Sequence, residues 1–418
     1  MNQNNPIQIA SEIGKLNSVI LHSPGQEVAN MTPENTEKAL YSDILNLPIS
    51  QKEHQHFEAV LSKVSKTFQL KTLLTETLDV SGVKSDLIHK IYNKPDLEFI
   101  IPELLEMENG LLCSKIIEGL EIQKNTLSSY LNRKRFNIQP LHNFFFMRDA
   151  SVSIGNEVLI SRMAGSVRYP ETLVMNAIFQ NHPEFKVNTI ITPKLLHNYK
   201  TQIEGGDVLI ARDDILIIGM GARTNQFGID ALINYYKSQN IDKHFIIQEL
   251  PLTPESFIHL DMVFTLLDKD NCMVFEPVIL KPGNLKCIHI HLKDGELVQI
   301  NDEKNILKAL DKLGMHLKPI FCGGEDTWNQ KREQWHSGAN FFSFAPGKIL
   351  GYARNLFTLE QLSANGYEVL NASDIIDGSV HPDEYAKCVV TVEGSELARG
   401  GGGARCMTMP LSREKVEW

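Results

Sequence analysis

Apolar runs in this chain are short, and the runs that read as strands alternate with helical patterns. That rhythm confines the fold to a mixed α/β architecture. Strand-like runs lie at 18–21, 158–160, 189–191, 208–210, 215–218, 274–275, 288–290 and 349–352, and apolar spacing predicts helices over 170–182, 226–239 and 304–313. Two strands, a helix and another strand recur more than once without an exact sequence repeat, as a degenerate structural repeat would. From Leu73 to Tyr130 the rhythm stops. Ile100, Leu104, Leu105, Leu111, Leu112, Ile116, Ile117 and Leu120 fall largely at three- and four-residue spacings, the apolar stripe of packed helices, and Pro95, Pro102 and Gly110 divide the stretch into short segments. A helical insertion over 73–139, within a single catalytic unit spanning 1–418, is the expected organisation.

Composition narrows the class. With 418 residues, 42% of them hydrophobic and 22% charged, the chain can bury a sizeable core and is neither disordered nor fibrous. A formal net charge of −10 works against nonspecific binding to nucleic acid or to anionic membrane, and it suits a cationic small molecule. Cys113, Cys272, Cys287, Cys322, Cys388 and Cys406 are scattered without a C-x-x-C or a zinc-type spacing, so no metal site is expected and a reducing cytoplasm is. No secretory signal or membrane span is legible.

Several constellations can carry chemistry. Arg399 is followed by Gly400, Gly401, Gly402 and Gly403, then by Ala404, Arg405 and Cys406. A bare backbone beside a thiol admits a substrate closely, and Arg405 is placed to favour the thiolate. The apolar Met407, Met409 and Leu411 and the closing Trp418 favour a docked terminus over a frayed tail. His259 and Asp261, two positions apart, would share one face of a strand as an acid–base pair. Glu204-Gly205-Gly206-Asp207 places two acids about a tight turn at a strand start. Asn143 precedes Phe144-Phe145-Phe146-Met147-Arg148-Asp149, where a carboxylate beside aromatic walls can receive a cation. Arg168 and Arg223 could clamp a carboxylate bidentately. Viewed one at a time, a solvated strand face, a surface turn, a buried strand with an Arg–Asp turn and ordinary surface arginines account for these motifs more simply. Nucleotide-binding, zinc-protease and serine-hydrolase motifs are absent.

In chain order the pieces resemble one family, the arginine deiminases of the guanidino-group-modifying superfamily. The resemblance runs from Ser11-Glu12-Ile13-Gly14-Lys15-Leu16 and His22-Ser23-Pro24-Gly25 through Leu73-Leu74-Thr75-Glu76-Thr77-Leu78 to Phe146-Met147-Arg148-Asp149. It continues through Glu204-Gly205-Gly206-Asp207, His259-Leu260-Asp261-Met262, Arg332-Glu333-Gln334-Trp335, Gly338-Ala339-Asn340 and Ala404-Arg405-Cys406-Met407. It implies a five-bladed α/β-propeller of pseudo-symmetric ββαβ modules with a helical-bundle insertion. It also implies hydrolysis of L-arginine to L-citrulline and ammonia through a covalent cysteine thiouronium, with no cofactor, in a cytoplasmic homo-oligomer. By motif position Cys406 is the nucleophile and His259 the general acid and base. Asp149, Glu204 and Asp261 hold the guanidinium, Arg168 and Arg223 the α-carboxylate, and Asn143 with the backbone near Phe146 the α-amino end. Met147, Ala150, Pro170 and Gly401 depart from the residues common in that pattern. Two alternatives use the same residues: another guanidino-modifying enzyme, acting on agmatine or transferring the amidino group, or a noncatalytic arginine-binding protein.

Overall fold

The structure, a computed structural model, describes residues 5–33, 43–95, 97–190, 201–281 and 283–418. Of the sheets they form, five share one local order: an antiparallel pair, a helix, then a strand parallel to the second member of the pair. Ser151–Ile154 and Glu157–Ile160 lead through Tyr169–Asn181 to Thr189–Ile190. Val208–Arg212 and Ile215–Met220 lead through Gln226–Ser238 to Lys243–Glu249. Phe264–Leu266 and Asn271–Val274 precede Ile306–Lys312 and Lys318–Phe321. Phe342–Ala345 and Lys348–Tyr352 precede Leu356–Ala364 and, further on, Cys388–Val392. The fifth set joins the two ends of the chain: Met409–Arg413 pairs with Leu16–Leu21, and Leu47–Val64 leads to Lys66–Gln69.

Local chemistry explains these elements. Ile215–Met220 is buried on both faces for nearly its whole length, which is why it reads as a continuous apolar run rather than an alternation. Gln226–Ser238 buries Ile229, Leu232, Ile233 and Tyr236 along one stripe, and the Asn225 side chain caps it by accepting from the Gly228 N–H, a contact that stabilises a helix by about 1 kcal/mol. The strands expected at 158–160, 208–210, 215–218, 288–290 and 349–352 all form. The 274–275 run is displaced: Val274 ends a strand and Phe275 caps the helix Glu276–Ile279. Residue 191 lies outside the described residues.

The helical stretch contains Leu70–Leu78, Val83–Ile91, Ile101–Glu106, Asn109–Glu118 and Leu127–Leu131, with a short ladder between Leu120–Glu121 and Phe136–Ile138. Leu104, Leu112, Ile116 and Ile117 are buried and belong to the same core as Phe144, Met147 and Ile178. Leu111 departs from the expected stripe and is about half exposed, at 49%. Pro102 sits in the first turn of its helix, where a missing N–H costs nothing, so it starts a helix rather than dividing one. No helix among the described residues is long and apolar enough to cross a membrane.

Candidate active site

Each of the five sheets delivers a side chain to one region from the residues just ahead of its first strand. Asp149 lies on the one-turn helix Met147–Ala150 before Ser151–Ile154, and Glu204 flanks the 3-10 turn Gly205–Asp207 before Val208–Arg212. His259 and Asp261 flank and occupy the 3-10 turn Leu260–Met262 before Phe264–Leu266. Asn340 precedes Phe342–Ala345, and Cys406 precedes Met409–Arg413. The expectation that His259 and Asp261 share a strand face is therefore corrected: the turn sends His259 toward Glu204 and Asp261 toward Arg405. Asp207 fixes the turn by accepting the Leu260 N–H at 2.9 Å.

The glycines are there for close approach. A Cβ on Gly206 would lie 2.6 Å from the His259 ring, one on Gly402 would lie 2.4 Å from the Phe146 ring, and one on Gly403 would lie 2.6 Å from Asn340 Oδ1. The C-terminal segment is docked as expected through Met407, Met409 and Leu411, all buried, whereas Trp418 is 41% exposed. Arg148 ties this segment down: its backbone N–H donates to the Cys406 carbonyl at 3.0 Å and its guanidinium to Thr408 Oγ1 at 3.2 Å.

A cavity opens onto Cys406, His259, Asp149, Asn143, Phe146, Arg168 and Arg223, with Leu252, Ile258, Trp335 and Gly400 to Gly402 completing its walls. Glu204 and Asp261 stand behind that surface. Glu204 Oε2 lies 2.9 Å from His259 Nε2, and His259 Nδ1 lies 3.6 Å from Asp149 Oδ1. Burial alone would favour neutral imidazole, yet the carboxylates of Asp149, Glu204 and Asp207 outweigh it and bring the His259 pKa up to about 9. Burial likewise opposes ionisation of Asp149, but His259, Arg168 and Arg223 hold its carboxyl below the usual range.

The two candidate carboxylate readers differ. Arg168 has every nitrogen committed: NH1 to Asp149 at 2.6 Å, Nε and NH2 to Glu171, and NH2 also to the carbonyls of Asn143 and Phe146. Arg223 Nε is buried with no hydrogen-bond partner, as is Asp149 Oδ1. One unsatisfied cationic donor and one unsatisfied anionic acceptor thus line the same cavity, a pairing suited to a ligand that carries both charges.

At the thiol, Arg405 favours the thiolate as expected, but only through its charge: its guanidinium makes no hydrogen bond to the sulfur and is engaged in two contacts of 3.0 Å with Glu12 and one of 2.8 Å with Asp261 Oδ2. Glu12, held by the two-point contact and by nearby Arg148, has its pKa brought down to about 2 despite burial. Asp261 shares its cation, and burial leaves its carboxyl above the usual range. Burial, then Asp261 and Asp149, push the Cys406 thiol well up; the Gly403 backbone and Arg405 only partly oppose this. Asp261 oxygens lie 3.7 and 3.8 Å from the sulfur, and Asn340 Nδ2 lies 3.1 Å from it. Among the described residues no group of three or more His, Cys, Asp or Glu side chains could hold a metal ion.

Sequence alone does not place Glu12, Glu171 and Asn340 in this network, whereas Asp207, singled out with Glu204, enters it by holding the Leu260 N–H. Glu171 had a local signal, its three-residue spacing from Arg168 at a helix start. Glu12 and Asn340 meet Arg405 and Cys406 only through tertiary contacts.

A family model described as arginine deiminase matches residues 37–413. The chain belongs to the arginine deiminase family. Relatives named arginine deiminase from Bacillus cereus (strain ATCC 10987 / NRS 248) and Lactococcus lactis subsp. lactis (strain IL1403) are both 33% identical; the matches cover 98% and 99% of this chain and 99% and 100% of those proteins. Among solved structures, the amidinotransferase SxtG from Microseira wollei superposes with a TM-score of 0.55 at 12% identity, covering 98% of each chain. The product-bound N-terminal domain of ArgZ, a cyanobacterial arginine dihydrolase, gives 0.53 at 13% identity over 95% of this chain and 97% of that one. These likenesses give this member of the arginine deiminase family the same mixed α/β fold as those two structures. Its departures from the common pattern have structural counterparts. Met147 and Ala150 are fully buried, Pro170 lies in the first turn of its helix, and Gly401 has φ +83°, a left-handed conformation in which an arginine would be strained.

Proposed function

We propose that this protein hydrolyses L-arginine to L-citrulline and ammonia through a covalent thiouronium on Cys406. The observation that carries the reading is a buried thiol on a cavity that also presents the unsatisfied Asp149 Oδ1 and the unsatisfied Arg223 Nε. Guanidinium is resonance-stabilised and a poor electrophile, so the site must orient it, offset its charge and bring it to a desolvated nucleophile. Asp149 takes the guanidinium directly. Asp261 faces it from behind the sulfur, and Glu204 acts mainly by holding and charging His259. The guanidinium meets the open Oδ1 of Asp149 while Arg168 keeps its hold on Oδ2, and Arg223 and Arg168 together face the α-carboxylate. Asn143 and the Phe146 backbone receive the α-amino end.

The bound cation offsets Asp149 and Asp261, the carboxylates that hold the thiol proton on, and that proton leaves to solvent. The thiolate attacks the central guanidinium carbon to give a tetrahedral adduct. His259, imidazolium at neutral pH, gives its proton to the departing nitrogen; the C–N bond breaks and ammonia leaves. Neutral His259 then takes a proton from water as the oxygen adds to the thiouronium carbon, and collapse of the adduct breaks the C–S bond while its hydroxyl proton passes to solvent, releasing citrulline and restoring the thiolate. The chain supplies every group these steps use apart from water.

The fivefold recurrence of one strand order, with one residue sent to a common site from each sheet, supports a five-bladed α/β-propeller. On this reading 73–139 is an insertion within a single catalytic unit, because its core merges with that of Phe144 and Met147. Six free cysteines support a cytoplasmic setting. Exposed Phe99, Leu127, Tyr130 and Leu131 on the helical stretch support self-association into a homo-oligomer.

Citrulline and ammonia release from L-arginine by wild type and by Cys406→Ser tests the activity. Stoichiometric products from wild type, with a loss of at least about 10⁴-fold in the variant, are expected. Absence of product from wild type across a pH series would overturn the reading.

A further inference from the structure

Four of the five sheets contribute a group already placed in the proposed reaction: Asp149, Glu204, His259 with Asp261, and Cys406. The remaining sheet contributes Asn340, which stands at the equivalent place, two residues before Phe342–Ala345, and is 1% exposed. Its amide orientation is fixed by its surroundings. Oδ1 accepts from the Arg405 N–H at 2.9 Å and from the Cys406 N–H at 3.4 Å. Only an oxygen can meet two backbone donors, so Nδ2 must face the other way. There it donates to the Asp261 carbonyl at 3.1 Å and to Cys406 Sγ at 3.1 Å, with Met262 Sδ at 3.6 Å. Bare Gly403 lets the amide come this close.

We propose that Asn340 is a catalytic residue of this chain, an amide that aims the Cys406 sulfur and stabilises its thiolate by direct N–H donation. The inference rests on Cys406 being the nucleophile. The sulfur's surroundings explain the need. Asp261 and Asp149 face it with negative charge, and Tyr352 gives its hydroxyl proton to the Gly402 carbonyl. Arg405 is the nearby cation, and its guanidinium is committed to Glu12, Asp261 and the carbonyls of Gly206 and Val208. Asn340 therefore supplies a side-chain donor that acts on the sulfur itself. Its carbonyl holds the backbone of Arg405 and Cys406, so one side chain fixes both where the sulfur sits and which protonation state is favoured.

Asn340→Asp separates these roles, since it keeps shape and the Oδ1 acceptor while turning an oxygen toward the sulfur. Iodoacetamide alkylation of Cys406 reads the thiolate without any substrate, with Cys406→Ser as the blank for the five other buried cysteines. The expected result is alkylation at neutral pH slowed about 10- to 100-fold with its midpoint at higher pH. With L-arginine, kcat should fall by a similar factor and KM should change by less than about threefold. An unchanged alkylation profile overturns the proposal, as does a variant that changes KM alone. Altered alkylation in a protein that does not turn over arginine would support the thiol role and count only against the substrate reading. Should the variant not fold, the wild type labelled with ¹⁵N-asparagine carries the test: the Asn340 side-chain amide must titrate with the thiol's alkylation midpoint, and an amide signal indifferent to it overturns the proposal.

Discussion

The floor and the rim of the cavity are built on different principles. On the floor, Cys406, His259, Asp149, Asp261, Glu204 and Arg168 are each no more than 6% exposed, and charged hydrogen bonds or ion pairs cross-link most of them. At the rim, Leu252 is 72% exposed and Trp335 45%, and Arg223 offers an Nε with no partner. Charges buried together are costly to leave unpaired, so each floor residue is fixed by its neighbours. Rim residues are free to meet the part of a ligand that does not react. The contrast predicts that floor substitutions change turnover and rim substitutions change affinity.

The largest effect that can break this comparison is expected for Glu204→Gln. Removing the carboxylate 2.9 Å from His259 Nε2 takes away one of the groups that raise the imidazole's pKa to about 9. The alkaline fall of kcat/KM, which reports loss of the imidazolium, should move to lower pH, and kcat should drop about 10²- to 10³-fold. The same shift has a stability consequence. Because the folded pKa lies above the unfolded value of about 6.5, His259 contributes stability that is fully present below that pH and is lost as pH rises through 9. Denaturant melts of wild type and variant should therefore converge above pH 9. An unchanged pH–rate profile would detach Glu204 from the histidine.

Arg223→Ala sharpens the comparison from the rim. With the guanidinium and its unpartnered Nε gone, KM for L-arginine should rise about 10- to 100-fold while kcat stays within a few-fold, and agmatine, which has no carboxylate, should respond little. A fall in kcat matching the rise in KM would place Arg223 in the floor. Because Arg168 is held by Asp149 and Glu171, the two arginines should not behave alike, and steady-state kinetics of the single variants compares them directly.

Floor and rim also differ in how far the sequence discloses them. The residues gathered at the cavity were legible through modest local signals that gained weight only from their order along the chain: Cys406 after a glycine run, Glu204 before Gly205 and Gly206, Asp149 after three phenylalanines, His259 and Asp261 two apart. Strands such as 215–218 were legible because burial on both faces leaves an unbroken apolar run. What the sequence concealed depends on partners far along the chain. That Glu12 holds Arg405, and that Asn340 touches both Arg405 and Cys406, follows only when the two chain ends pair and the sheets converge. The engagement of the Arg405 guanidinium by Glu12 and Asp261 was hidden for the same reason. The His259–Asp261 spacing suggested a strand because a period of two and a single 3-10 turn are indistinguishable over three residues, and the deciding contact, Asp207 with the Leu260 N–H, is remote in sequence.

The smallest effect belongs to Leu252→Ala, and its smallness is the point. Leu252 lines the cavity yet exposes most of its surface, so truncating it removes little buried area and leaves no cavity behind. Thermal stability should be unchanged within error, and kcat/KM for L-arginine should fall by less than about threefold through KM alone. If instead kcat fell tenfold or more, the side chain would have to cover the thiol during the reaction, excluding water that would otherwise compete with the guanidinium for Asp149. Turnover of Leu252→Ala at saturating arginine therefore decides whether the rim only admits the substrate or also closes over the floor.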